Sequence, residues 1–314
     1  MLPPTQPVAA IFGGTRIGNR ELFMPHTHLE TFLTTLARHN VTKIDTAQAY
    51  GNSEVTLGRI QAGSRFVIDT KWSPLSWTES STAWASNERI IRSAEESINK
   101  LAVDQVDIFY LHRPDPMTPI SETLAAVNTI HKRGVFRRFG LSGFPITEIE
   151  AIYSHCTDHS YPLPVVYQGS YNPLNRHKET ALLLTLRRLG ISFYVYGTSA
   201  GGFLGKSVAQ AKEMADSDAY VSATCRPYLH NPIFLEILAQ WNAVAEIEGV
   251  SSAELAYRWV AYHSALRSDH GDAFIIGASS PEQLDETLSG IEKGPLSVNA
   301  CVSIHEIWEK VKGA

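Results

Sequence analysis

The stretch that decides the fold is Lys43-Ile44-Asp45-Thr46-Ala47-Gln48-Ala49-Tyr50-Gly51. Its first residues complete a short apolar strand, predicted from Val41 to Ile44, and the chain then passes directly into a polar loop. Asp45 ends the strand, and Tyr50 follows five positions later. Taken alone, such an acid and such a tyrosine could simply cap a turn and cover its apolar rim. Their meaning therefore depends on the strands that follow.

The next two predicted strands also end on polar side chains. One runs from Arg65 to Lys71, and the other runs from Val106 to His112. When parallel strands close into a barrel, their C-terminal ends share one face, and polar residues on that face are typical of catalysis. We therefore expect four side chains to lie together there: Asp45, Tyr50, Lys71 and His112.

Strand-like and helix-like segments alternate along all 314 residues, and no Pro- or Gly-rich linker divides the chain. This alternation predicts a single-domain α/β protein over residues 1–314, a (β/α)₈ TIM barrel. An apolar stripe at helical spacing, for example, predicts a helix from Asn87 to Leu101. The eight predicted strands run from Val8 to Phe12, Val41 to Ile44, Arg65 to Lys71, Val106 to His112, Val135 to Leu141, Val165 to Gln168, Ile191 to Tyr196 and Ala273 to Gly277.

Composition argues against several classes of partner. The net charge of -5 and the absence of a Lys/Arg run argue against nucleic acid, and the apolar runs are too short to span a bilayer. Three cysteines without a C-x-x-C pattern and an N-terminus without a secretory signal predict a cytoplasmic protein. No carboxylate or cysteine cluster accompanies His26 and His28, so no metal site is predicted.

The four converging residue types suit the reduction of a carbonyl group. Because no side chain supplies hydride, a nicotinamide cofactor is implied. Tyr50 is a natural proton donor, although an ordinary phenol titrates near a pKa of about 10. A neighbouring Lys71 would lower that pKa, and Asp45 would keep the lysine charged. His112 could hydrogen-bond the substrate oxygen and share in proton transfer.

The eighth strand leads into a candidate anion site. The sequence Gly277-Ala278-Ser279-Ser280-Pro281-Glu282-Gln283 predicts a helix with Ser280 as N-cap and Gln283 at the third helical position. A helix N-terminus binds phosphate groups, and Ser279 adds a hydroxyl, although the same residues could form a well-capped helix and nothing more. Gln168, at the end of the sixth strand, suits a hydrogen bond to the carboxamide of a nicotinamide. Tyr196, at the end of the seventh strand, suits stacking on the nicotinamide ring.

Several motifs in this order resemble the aldo-keto reductases, with the aflatoxin-aldehyde reductase branch the most similar. They are Asp-Thr-Ala-x-x-Tyr-Gly at 45–51, Tyr110-Leu111-His112, Gly140-Leu141-Ser142, Val166-Tyr167-Gln168-Gly169, Ala200-Gly201-Gly202-Phe203-Leu204 and Gly277-Ala278-Ser279-Ser280. The resemblance implies a carbonyl reductase that uses NADPH, with catalytic roles for Asp45, Tyr50, Lys71 and His112. It also implies cofactor contacts by Ser142, Gln168, Tyr196, Gly277, Ser279, Ser280 and Gln283.

Three departures from that family pattern leave NADH open as an alternative cofactor. Gly143 stands where the family usually has an asparagine that holds the carboxamide. Gly197-Thr198-Ser199 replaces the usual Asn-Pro-Leu, and the segment from Lys206 to Asn231 is shorter and different. The carbonyl substrate itself is not specified by these motifs, and a monomer or a homodimer is equally compatible with them.

Two other functions remain as alternatives. Gly197-Thr198-Ser199-Ala200-Gly201 matches the G-x-S-x-G motif of α/β-hydrolases. A serine hydrolase built on Ser199 would draw its partners from Asp216, Asp218, His230 and His270. That function would leave Asp45, Tyr50, Lys71 and His112 unexplained. The other alternative is a cofactor-binding regulatory or interaction subunit on the same fold.

Overall fold

A computed structural model describes residues 6–18, 26–73, 84–216 and 225–312. Eight parallel strands close into a barrel in sequence order, and β1 pairs with β8 to complete it. This confirms the predicted (β/α)₈ fold. The strands are β1 Ala9–Gly13, β2 Lys43–Asp45, β3 Val67–Trp72, β4 Val106–Leu111, β5 Phe136–Ser142, β6 Pro164–Ser170, β7 Ser192–Tyr196 and β8 Ala273–Ile276.

Helices lie between consecutive strands and pack around the barrel. In chain order they are α1 His26–Arg38, α2 Ser53–Arg59, α3 Asn87–Leu101, α4 Ile120–Lys132, α5 Ile146–Asp158, α6 Ala181–Leu189, α7 Val208–Asp216, α8 Arg226–Leu229, α9 Pro232–Glu248, α10 Ser252–Tyr262, α11 Pro281–Glu292 and α12 Val298–Lys312. Short 3-10 turns connect several of them, including Gly14–Arg16 and Ala200–Gly205. Within the described ranges, no helix is both long enough and apolar enough to cross a membrane.

Three helices, α7, α8 and α12, were not predicted from the sequence. The stretch after β7 was expected to be irregular, but it contains α7, which buries only Ala211 and so carries a weak apolar pattern. The C-terminal α12 buries Ala300, Ile304 and Ile307, which fall at helical spacing and could have been recognised.

The barrel interior has two layers with different chemistry. Branched aliphatic and aromatic side chains fill one region, among them Ile11, Ile108 and Tyr194. The C-terminal ends of the strands carry buried polar groups instead, including Asp45 and Lys71. Because the strands are parallel, all eight C-terminal ends open on the same face, and this is where the functional side chains meet.

Candidate active site

The centre of the polar end is an ion pair between β2 and β3. Lys71 Nζ lies 2.6 Å from Asp45 Oδ2 and also donates to the backbone oxygen of Thr46 at 2.8 Å. Both side chains are buried, with exposed fractions of 0% and 4%. Burial alone would lower the pKa of Lys71, but the charges of Asp45 and Tyr50 outweigh it and raise that pKa above the usual value. The lysine is therefore held as an ammonium ion inside the protein.

Tyr50 and His112 stand beside this cation. Lys71 Nζ lies 5.0 Å from the centre of the Tyr50 ring. The rings of Tyr50 and His112 meet edge to face, with their centres 5.7 Å apart. Both residues are only half-buried, so they border the open end of the barrel. The structure thus brings together all four residues that the sequence singled out.

His112 is an uncharged hydrogen-bonding group in this setting. Burial, followed by the positive charges of Lys71 and Arg113, lowers the pKa of His112 to about 3. A ring with this pKa is neutral at neutral pH, so it can donate a hydrogen bond but does not carry an extra proton to transfer. The sequence had allowed it a share in proton transfer, and the electrostatics favour the hydrogen-bonding role.

Gln168 joins the same cluster from β6. Its Nε2 donates to Asp45 Oδ1 at 2.8 Å, so the carboxylate of Asp45 is shared between an amide and the Lys71 ammonium. Gln168 is 2% exposed, and Ser142 is its register partner on β5. Two of the predicted cofactor contacts, Ser142 and Gln168, therefore lie side by side, and Gln168 also supports the ion pair.

Gly143, the first of the three departures from the family pattern, follows Ser142 directly. It has a φ of +71°, in the left-handed region that glycine adopts freely and asparagine tolerates better than most residues. The nearest atom to an added Cβ would be the His112 backbone oxygen at 3.8 Å. The backbone here would accept asparagine, so the departure removes a side chain without requiring a different loop.

The end of β8 forms the predicted helix N-terminus. Ser280 caps α11 by accepting a hydrogen bond from the backbone nitrogen of Gln283 at 3.2 Å, as predicted. Gln283 Oε1 in turn accepts from the Ser279 backbone nitrogen at 2.7 Å. Arg16, from the turn after β1, donates to Ser279 Oγ at 2.8 Å. Sequence reasoning missed Arg16, because its position beside β8 follows only from closure of the barrel.

Tyr196 lies between these two regions, at the end of β7. It is half-buried, and burial first, then the nearby Tyr50, raises the pKa of its phenol. Gly277, at the end of the next strand, has open space where a side chain would lie.

These residues fit a nicotinamide dinucleotide. Ser142 and Gln168 supply polar groups for a carboxamide, and Tyr196 supplies a half-buried aromatic ring beside Tyr50. The capped α11 N-terminus with the Arg16 guanidinium provides the positive potential that phosphate groups require.

Among the described residues, no catalytic triad forms around Ser199, as the hydrolase alternative would require. Burial raises the pKa of the Tyr257 hydroxyl, and hydrogen bonding with the side chains of Thr198 and Ser199 opposes that rise, so Ser199 lies beside this tyrosine. His270 precedes β8, and its backbone oxygen accepts from Ser192 at the start of β7, so it lies at the opposite end of the strands from Ser199. Asp216 and His230 are exposed, and Asp218 lies outside the described residues.

Within residues 6–18, 26–73, 84–216 and 225–312, no group of three or more His, Cys, Asp or Glu side chains could hold a metal ion. The side chains of His26 and Thr27 lie outside the described part of the chain.

The polar cluster lies at the C-terminal end of a (β/α)₈ barrel, the face that carries the active site in enzymes of this fold. A family model described as the aldo/keto reductase family matches residues 10–309. This chain belongs to that family, and it is an NAD(P)H-dependent oxidoreductase.

Individual relatives span nearly the whole chain. Oxidoreductase sirO of Leptosphaeria maculans is 34% identical over 99% of this chain and 98% of its own length. Aflatoxin B1 aldehyde reductase member 2 of Homo sapiens is 34% identical over 98% of this chain and 89% of its own. Aldo-keto reductase pigE of Monascus ruber is 27% identical over 96% and 94%. The similarity to an aflatoxin-aldehyde reductase agrees with the motifs in the sequence.

Proposed function

We propose that this protein reduces an aldehyde or ketone to the corresponding alcohol with NADPH. The observation that supports this most strongly is the buried Lys71 ammonium, paired with Asp45 at 2.6 Å and facing the Tyr50 ring at 5.0 Å. A cation fixed beside a phenol stabilises the negative charge that remains when the phenol gives up its proton. The arrangement therefore suits proton donation by Tyr50.

The chain's own residues account for the proton side of the reaction. The bound nicotinamide would supply the hydride to the carbonyl carbon. Tyr50 donates its phenol proton to the carbonyl oxygen, which becomes the alcohol hydroxyl. Lys71 stabilises the resulting phenolate, and Asp45 holds the lysine in place. His112, which is neutral, donates a hydrogen bond that orients the carbonyl oxygen.

Support for the cofactor comes from both ends of the site. The Ser142 and Gln168 pair suits the carboxamide, and Gly277, Ser279, Ser280 and Gln283 surround the α11 N-terminus. NADPH is our choice over NADH because Arg16 adds a positive charge beside Ser279. We further propose that the protein is a monomer or a homodimer and that it works in the cytoplasm. Its net charge of -5 and its three cysteines without a C-x-x-C pattern support this proposal.

The proposal is tested with purified wild-type protein and Tyr50→Phe. Each is titrated with NADPH and NADH by fluorescence and then mixed with a panel of aldehydes while absorbance at the nicotinamide band is followed. We expect both proteins to bind NADPH. Loss of the proton donor should slow oxidation of NADPH by about 10²–10⁴-fold.

Other results would change the assignment. If wild-type protein binds NADPH but turns over no carbonyl, a cofactor-binding regulatory subunit becomes the better description. If it binds neither nucleotide, the reductase proposal is wrong, and Ser199→Ala in an ester hydrolysis assay is the next measurement.

A further inference from the structure

Ser73 contacts the ring of His112 at Nδ1, one of its two ring nitrogens. Its Oγ lies 2.6 Å from His112 Nδ1, and the serine is 6% exposed. Ser73 directly follows β3, and His112 directly follows β4. The two strands pair at Trp72 and Leu111, so their register places the next residues opposite one another. The His112 backbone nitrogen also donates to the Trp72 oxygen at 3.1 Å.

The serine is itself held from behind by Gln48, a residue of the opening motif. Gln48 Oε1 accepts from the Ser73 backbone nitrogen at 3.2 Å. Gln48 Nε2 donates to the Ser93 backbone oxygen and to Ser97 Oγ, both on α3 and both at 2.9 Å. A chain of hydrogen bonds therefore runs from α3 through Gln48 and Ser73 to His112, and it holds the Ser73 backbone in place beside the ring.

The chemistry of the two ring nitrogens gives this contact a consequence. A neutral imidazole has one N–H, and a carbonyl oxygen can only accept a hydrogen bond. His112 can therefore orient a carbonyl through Nε2 only if Nε2 carries the proton, which leaves Nδ1 as an acceptor. A serine hydroxyl can donate to Nδ1 or accept from it, so it is compatible with the Nε2–H tautomer, whereas a backbone carbonyl in that place would force the opposite tautomer.

We propose that Ser73 donates its hydroxyl hydrogen to His112 Nδ1 and thereby fixes the tautomer in which Nε2–H faces the substrate oxygen. Ser73 is thus a positioning residue for the reaction, and this inference rests on the proposed reductase function. The opposite tautomer would present a lone pair on Nε2, which repels a carbonyl oxygen and competes for the proton of Tyr50. Because burial, Lys71 and Arg113 hold the pKa of His112 at about 3, the choice of tautomer, and not a change of charge, governs the ring near neutral pH.

The first test reads the tautomer directly. Protein labelled with ¹⁵N-histidine is examined by NMR, and the His112 signals among the 12 histidines are assigned by their loss in His112→Gln. We expect Nε2 protonated and Nδ1 unprotonated in the wild type. In Ser73→Ala, the ring should shift toward a mixture of tautomers. A wild-type His112 protonated on Nδ1 would overturn the inference whatever the activity.

The second test is kinetic and includes a conservative rescue. Ser73→Ala should lower kcat for aldehyde reduction by about tenfold, in line with the loss of one hydrogen bond, while NADPH affinity measured by fluorescence stays unchanged. Ser73→Thr, which keeps a hydroxyl, should recover most of kcat and the Nε2–H tautomer. Ser264→Ala is the matched control, since it removes a half-buried serine hydroxyl that bonds Val260 O at 2.7 Å near the other end of the barrel.

The outcomes separate this inference from the proposed function. If the wild type reduces no carbonyl, the reductase proposal fails, while the NMR measurement still decides whether Ser73 sets the tautomer. If the wild type is active and Ser73→Ala keeps both full kcat and a pure Nε2–H ring, the inference fails and the reductase proposal stands.

Discussion

Two buried carboxyl groups inside the barrel, Asp45 and Asp69, are register partners on β2 and β3 but have opposite surroundings. Asp45 accepts hydrogen bonds from the Lys71 ammonium and from Gln168. Asp69 accepts one bond, from the Ile108 backbone nitrogen at 3.1 Å, and its Oδ2 has no partner among the described residues. Burial, and then the negative charge of Asp45, raises the pKa of Asp69 to about 8.

The difference shows what a buried charge requires. Moving an ion out of water costs several kcal/mol, and only a well-placed counter-ion with further hydrogen bonds offsets that cost. The Asp45 site provides both, so a permanent cation can stand beside Tyr50. The Asp69 site offers one hydrogen bond, from the Ile108 backbone nitrogen, and no ion-pair partner among the described residues, so this acid stays protonated below about pH 8. Only the first arrangement is useful for stabilising charge in a reaction.

Removing the ion pair between Lys71 and Asp45 should have the largest effect on stability and activity. Lys71→Met leaves Asp45 buried without its counter-ion, so we expect the free energy of unfolding to fall by about 3–5 kcal/mol. Carbonyl reduction should be lost as well. Urea unfolding monitored by circular dichroism measures the first effect, and NADPH oxidation measures the second.

A double variant sharpens this prediction. Lys71→Met combined with Asp45→Asn removes both charges, so stability should recover in part while activity stays absent. Equal stability of the single and double variants would contradict the view that an uncompensated carboxylate causes the loss.

The buried carboxyl group of Asp69 should make the free energy of unfolding depend on pH. The pKa of Asp69 is about 8 in the folded protein and about 3.9 when unfolded, so between these values the folded state retains a proton that the unfolded state has released. This group therefore lowers the free energy of unfolding as pH rises from about 4 to about 8, by at most about 1.4 kcal/mol per pH unit. Asp69→Asn should remove that contribution.

Urea unfolding at several pH values checks this expectation. The stability of Asp69→Asn relative to the wild type should increase steadily with pH up to about 8. A difference between the two proteins that does not change with pH would mean that Asp69 ionises normally in the fold.

The smallest expected effect on stability concerns two buried tyrosines, Tyr110 and Tyr167. Tyr110 has no hydrogen-bond partner for its hydroxyl within the described residues, whereas the Tyr167 hydroxyl donates to the Phe144 backbone oxygen at 3.1 Å. Tyr110→Phe removes an unsatisfied polar group and should stabilise the protein by about 1 kcal/mol. Tyr167→Phe should destabilise it by a similar amount. Thermal unfolding of the two variants provides the comparison, and changes of the same sign would refute it.

Sequence reasoning reached the fold and the central residues because both depend on local patterns. Apolar strands alternating with amphipathic helices predict a parallel barrel, and a parallel barrel places strand ends on one face. Asp45, Lys71 and His112 could therefore be grouped without knowing any distance. The capping signature of Ser280 is also local, and the structure confirms it.

Contacts between residues that follow different strands could not be predicted from local sequence patterns. Ser73 and Arg16 look like ordinary polar loop residues in the sequence, and their partners His112 and Ser279 lie 39 and 263 positions away. Gln168 was assigned to the cofactor, while the structure adds its bond to Asp45, 123 positions distant. Such pairings depend on strand register and barrel closure.

The sequence by itself determined the barrel, the residues at its open end and the class of chemistry, since periodicity and residue type are properties of short segments. The sequence also predicted the charge of Lys71, but only the tertiary structure decided that Asp69 and His112 are uncharged. A pKa depends on burial and on the charges that surround a group in space. For this reason Asp69, two residues before Lys71 in β3, is a neutral acid, while Lys71 is an ammonium ion held by Asp45.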